Sequence, residues 1–125
     1  MLTRIRANTD LVIAQLGPQS GIPGFGRNRE SLAFVEQFIE RTRSCGLGSV
    51  ARENMAAVFG CFLGECVIAA YGGEWEEYEG TWCVRFANGT MAFPFAKVCK
   101  LVENGLEGGD SIVSFYRVVP FILTR

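Results

Sequence analysis

The residue whose surroundings most call for chemistry is Glu65. It is the only charged side chain in the stretch Met55–Gly73. A lone carboxylate on an otherwise apolar segment must be paired, protonated or close to a surface. It can handle a proton or anchor a ligand in a pocket. It can equally close an ion pair with an arginine, and Arg85 is one candidate. Trp75, Tyr78, Trp82, Phe86, Phe93 and Phe95 are an aromatic set that either lines a ligand cavity or fills a core between sheet and helices. A ligand site built from these residues has Glu65 and Arg85 as polar anchors and Trp75 and Trp82 as walls. A second candidate is Gly24-Phe25-Gly26-Arg27-Asn28-Arg29, where Arg27 and Arg29 flank the start of a helix. Backbone N–H groups and guanidinium groups there can hold an anion, or the loop is simply solvated. A third is Glu74, Glu76, Glu77 and Glu79 around Trp75 and Tyr78. This segment is a hard-cation or basic-partner site, or an acidic edge strand that discourages sheet-to-sheet association.

Other chemistries are excluded or weakened. The sequence has no histidine, so it holds no Ser-His-Asp or Cys-His nucleophile pair and no histidine-ligated metal site. Cys45, Cys61, Cys66, Cys83 and Cys99 are odd in number and form no CxxC pair. Each lies in an apolar run, which points to reduced, buried thiols in a cytoplasmic protein rather than to a zinc site or a disulfide framework. No cofactor or metal is expected. Net charge is −1 and the pI near 5.5, unlike the usual basic nucleic-acid binder. Gly46-Leu47-Gly48-Ser49-Val50-Ala51 matches GxGxxA, but it follows a helix and no parallel strands come after it. It reads as a turn between helices rather than a dinucleotide fingerprint.

These residues need elements to position them. Leu2, Ile5, Thr9, Val12 and Leu16 recur at spacings of three and four, giving an amphipathic helix that Gly17-Pro18 stops. Arg4, Arg6 and the short apolar run after them do not make a signal peptide. Asn28 caps a second helix to about Arg43, with Leu32, Val35 and Ile39 on one face and Phe34 and Phe38 beside them. Ser49 caps a third helix from about Val50 to Tyr71, apolar nearly all round. Its length and its Gly60–Gly64 pair also suit a membrane span. A mid-span Glu65 would cost roughly 2.5–3.5 kcal/mol or more, which argues for the central helix of a globular domain. Gly72-Gly73 opens a sheet region. Glu74–Glu79 is a strand joined through Glu79-Gly80 to a hairpin. Asn88-Gly89 predicts a two-residue type I′ turn, which sets Phe86 opposite Met91, Val84 opposite Phe93 and Trp82 opposite Phe95 on one face, with Arg85 and Ala92 on the other. Pro94 ends the strand. A helix carries Phe95, Val98, Cys99 and Val102 up to Asn104-Gly105. Asp110 caps a last segment, Ile112 to Val119, that Pro120 ends or kinks; its β-branched run leaves a strand open there.

Phe62-Leu63-Gly64-Glu65, Tyr71-Gly72-Gly73-Glu74-Trp75, Val84-Arg85-Phe86, Pro94-Phe95-Ala96-Lys97-Val98 and Glu103-Asn104-Gly105, taken in order, resemble an uncharacterised family of small bacterial α+β proteins. The resemblance spans about Met55 to Tyr116. It implies a helix for 110–119 and a cytosolic bacterial protein of the kind found on mobile stretches of genome such as integron gene cassettes. It implies no activity, substrate or catalytic residue.

The reading is one α+β domain over residues 1–125, with three N-terminal helices on a three-stranded antiparallel meander and two C-terminal helices. The chain carries an apolar surplus of about ten residues over ordinary composition. The central helix and hairpin absorb much of it. What is left, Leu2, Ile5, Val12 and Leu16 with Phe34, Phe38 and Phe121-Ile122-Leu123, marks a subunit interface at the chain ends. Two functions follow. The first is a non-enzymatic interaction protein, adaptor or immunity-like, that forms a homo-oligomer and meets a protein partner. The second is a small-molecule binding protein or weak enzyme with a pocket at Glu65 and Arg85.

Overall fold

The computed structural model describes residues 1–123. The first helix, α1 (Leu2–Ser20), turns Ile5, Thr9, Val12 and Leu16 inward, the stripe that the three-and-four spacing predicts. The Thr9 hydroxyl donates to the Ile5 carbonyl, which satisfies it inside the core. The helix does not stop at Gly17-Pro18. It runs one turn further and ends at Gly21 in the left-handed region. Pro18 removes one N–H, but side chains take up carbonyls near the break. The Gln19 amide donates to Gln15, and the Ser20 hydroxyl donates to Gly17.

The connecting loop is pinned rather than solvated. The Phe25 ring lies over Phe62 at 6.1 Å and meets Phe34 edge-on, also at 6.1 Å. Asn28 caps α2 (Arg29–Arg43) by accepting the Ser31 N–H. Leu32, Val35 and Ile39 are fully buried, and Phe34 and Phe38 are half-buried against the core. Gly46-Leu47-Gly48 lies in the loop between α2 and α3. The cap of α3 (Ser49–Tyr71) is Gly48, and Ser49 is the first helical residue.

The spine of the molecule is α3. Phe59 to Gly64, Cys66 and Val67 are buried, and α1, α2, α4 and α5 all pack on it. It is also the one described helix long and apolar enough to cross a membrane. One apolar cluster runs from Val12 and Leu16 through Phe62, Leu63 and Val67 to Val84, Leu101, Ile112 and Val119, so every helix contributes to it. Each large side chain so covered contributes about 1.5–3 kcal/mol.

The sheet is an antiparallel meander of β1 (Glu74–Tyr78), β2 (Thr81–Arg85) and β3 (Met91–Ala92). Its turns exchange the expected roles. Glu79 and Gly80 both have positive φ, 49° and 80°, and they join the paired residues Tyr78 and Thr81. The two-residue turn of type I′ character is therefore here. At the other hairpin the Phe86 N–H donates to Thr90, leaving Ala87-Asn88-Gly89 as a three-residue loop with Gly89 at φ 86°. The register shifts by one: Val84 pairs with Ala92 and Arg85 with Met91. Ala92 is buried with Val84 rather than turned outward. Phe93 and Phe95 leave the sheet altogether, because α4 (Pro94–Asn104) begins there with Phe93 as its cap.

After α4 a short 3₁₀ turn, Leu106–Gly108, leads to α5 (Ile112–Leu123), a helix that continues through Pro120. Its cap is Ser111, whose hydroxyl accepts the Ser114 N–H. Asp110 instead accepts from the Asn104 amide. Cys61, Cys66 and Cys83 are buried, whereas Cys45 and Cys99 are exposed, so the expectation of five buried thiols fails at two positions.

Candidate functional site

Gly64 and Gly60, one turn apart on α3, decide what can approach this helix. A Cβ at Gly64 would stand 2.1 Å from Trp75 Cη2, and one at Gly60 would stand 2.4 Å from Phe95 Cδ1. The bare helix surface thus admits two aromatic rings, one from β1 and one from α4. They meet each other at 5.7 Å between centroids. This seat brings the Trp75 indole N–H to Glu65, whose Oε2 accepts it at 3.1 Å.

Glu65 is mostly buried, with its side chain 14% exposed. Its arginine is Arg27, not Arg85. Arg27 Nε stands 3.7 Å from Glu65 Oε1, and the same guanidinium reaches Asp10 at 3.4 Å. The expected anion loop is therefore occupied from within. Its first arginine faces two carboxylates of its own chain, and the Asn28 side chain takes the Ser31 N–H, one of those an anion could use. Arg29 is exposed at the first position of α2. Arg85 pairs with Glu76 on the neighbouring strand, and this carboxylate pushes the guanidinium pKa still further up.

A cleft of about 320 Å³ opens beside Glu65, lined by Leu2, Arg6, Glu65, Ile68, Gly73, Glu74 and Trp75. A second, of about 460 Å³, lies over the start of β1 and the end of β2 and is lined by Gly73, Glu74, Trp75, Glu76, Arg85, Phe86 and Ala87. The two share Gly73, Glu74 and Trp75. Glu65 and Arg85 therefore line adjoining clefts rather than one pocket. Trp82 lines neither; it pairs across the sheet with Glu77. Among the described residues, no three Cys, Asp or Glu side chains converge as metal ligands.

The expected subunit interface changes most. Ile5, Val12 and Leu16 are 0–5% exposed, covered where α1 packs on α3. They are not available to a second copy. Leu2 at 41% and Phe121 at 74% do face outward.

Two groups escaped sequence reasoning. Arg6, four residues after Leu2 and on the same helix face, lines the Glu65 cleft. On α2, Glu36, Glu40 and Arg43 form a polar row. Glu36 Oε1 accepts the Ser111 hydroxyl at 2.5 Å and the Val113 N–H at 3.2 Å. Glu40 accepts the Leu106 N–H. Arg43 donates to the Val102 and Glu103 carbonyls. The helical spacing of Glu36, Glu40 and Arg43 was the available signal, since it puts three charges on one face of an otherwise core-facing helix. Comparison of the chain with family models, with curated proteins and with solved structures finds no match.

Proposed function

We propose that this chain is a non-enzymatic binding protein that holds a small molecule in the cleft lined by Glu65 and Trp75. The supporting observation is the state of Glu65. Its carboxylate is largely withdrawn from water, yet it receives one hydrogen bond, from Trp75, and opens onto a cleft with a charged rim and an apolar wall. Such mixed lining suits a ligand that is oriented by a few polar groups and held by apolar contact. Trp75 is seated by Gly64, Phe95 and Glu65, so the wall exists before any ligand arrives, which lowers the cost of binding.

A ligand-observed NMR screen of a small polar library tests this reading. Hits are expected to weaken in Glu65→Gln and in Trp75→Phe. A screen in which no hit depends on either residue overturns it.

A homo-oligomeric interaction protein, adaptor or immunity-like, is the second reading. It is favoured by the exposed apolar side chains at Leu2, Val118 and Phe121. Light scattering decides it, and a solution mass equal to the 13.7 kDa chain counts against it.

A further inference from the structure

We infer that the ligand of the Glu65 cleft is a small zwitterion, of which a free amino acid with an apolar side chain is the type. This rests on the binding role of the cleft and adds the chemical class. At about 320 Å³ the cleft is near the lower end of ligand sites, which span roughly 300–1,000 Å³. It suits a molecule of amino-acid size rather than a nucleotide.

The polar groups divide by sign. A carboxylate has about four acceptor positions. Glu65 uses one on Trp75. Arg27 Nε, at 3.7 Å, is beyond hydrogen-bond reach, and Asp10 engages the same guanidinium. Acceptor positions therefore remain on a mostly buried carboxylate that lines the cleft. An ammonium group, a compact cation with three donors, answers that need. Glu74 lines the same cleft at the start of β1.

Arg6 supplies the opposite sign. It lines the cleft from α1 and, among the described residues, forms no ion pair within 4.0 Å. Its planar fork of donors matches a carboxylate. Leu2, Ile68 and Trp75 form the apolar wall. A phosphate or dicarboxylate would meet repulsion from Glu65. A polyamine would meet it from Arg6. A molecule with both charges and an apolar body satisfies all three parts of the lining.

The test is isothermal titration of the full chain with leucine and phenylalanine. Each is compared with the amine that lacks its carboxylate and the acid that lacks its ammonium, all at up to millimolar concentration. The amino acid should bind roughly tenfold or more tighter than either analogue, because each loses one charge-assisted contact. Glu65→Gln, which keeps an acceptor for the indole, should weaken the amino acid and the amine by a similar factor and leave the acid unchanged. Arg6→Gln, an exposed substitution that leaves the core intact, should weaken the amino acid and the acid and spare the amine. If an amine or acid binds as tightly as its amino acid, the zwitterion is rejected while the cleft remains a binding site. If neither amino acid binds, the zwitterion is again rejected, and the wider screen alone then judges the cleft.

Discussion

Gly64→Ala tests the seat of Trp75 directly. The new methyl would stand 2.1 Å from Trp75 Cη2, 2.3 Å from Cζ2 and 3.2 Å from Pro94 Cγ. Carbon atoms rest at about 3.5–4.0 Å, so the indole must retreat by roughly 1.5 Å. Phe95, seated beside the indole on α3, must shift with it. Retreat also draws its N–H away from Glu65. Three terms set the outcome. Alanine gains about 1 kcal/mol of helix propensity over glycine. Overpacking costs about 1–3 kcal/mol. Loss of a hydrogen bond to a charged group costs about 1.5–3 kcal/mol, less here because Glu65 keeps some contact with water. The balance is a destabilisation of about 1–3 kcal/mol. Urea unfolding followed by far-UV circular dichroism measures it, and tryptophan emission reports the displaced indole. Gly64→Ala/Trp75→Leu should lose less than the sum of the single changes, since the clash disappears with the indole. A Gly64→Ala protein as stable as the parent, with unchanged emission, would refute the account of the seat.

Other outcomes follow from features elsewhere in the chain. Burial pushes the Cys66 thiol up from 9.0 to about 12. Above pH 9 the unfolded thiol loses its proton while the folded one keeps it, so stability should fall between about pH 9 and 12, as pH-dependent denaturation would show. With an aromatic disulfide reagent at neutral pH, Cys45 and Cys99 should react in the native protein, and Cys61, Cys66 and Cys83 only after unfolding, which peptide mapping resolves. Glu36→Ala should cost about 1–3 kcal/mol by removing the acceptor of the Ser111 hydroxyl and the Val113 N–H, and hydrogen exchange should show α5 opening first. Gly48→Asp should raise stability by up to about 1 kcal/mol, because it adds a capping carboxylate in open space at the start of α3.

How far the sequence could be read depended on how local each determinant is. The helices α1 to α4 follow from apolar spacing with caps and breakers close by. The sheet order follows from the turns at Glu79-Gly80 and Asn88-Gly89. The register of the second hairpin did not, because Asn88-Gly89 satisfies two turn geometries. Pro94 decides between them from outside the hairpin by drawing Phe93 and Phe95 into α4. Pro18 misled for the opposite reason, since a single missing N–H can be absorbed inside a helix that is packed along its length. At the candidate site, Glu65 and Trp75 stood out by type. Which side chains they meet did not. Arg27 reaches Glu65 from a loop that a pinned Phe25 carries back to α3, and Arg6 arrives from the far end of α1. Such partners are set by tertiary packing, which spacing along one segment does not record. The same packing removed Ile5, Val12 and Leu16 from the proposed interface, because α3 had use for them.

The polar row on α2 has a directional consequence. Arg43 stands at the carbonyl end of α4, where the helix dipole is negative, and Glu36 stands at the amide end of α5, where it is positive. Sliding α2 by one turn along its groove would keep much of its greasy face covered but would pull Arg43 off the α4 carbonyls and Glu36 off the α5 amide. A rotation of one residue, about 100°, would lose both contacts at once. The row therefore works as a compass bearing for α2. It leaves the apolar core to supply cohesion and itself distinguishes the true arrangement from its nearest competitors.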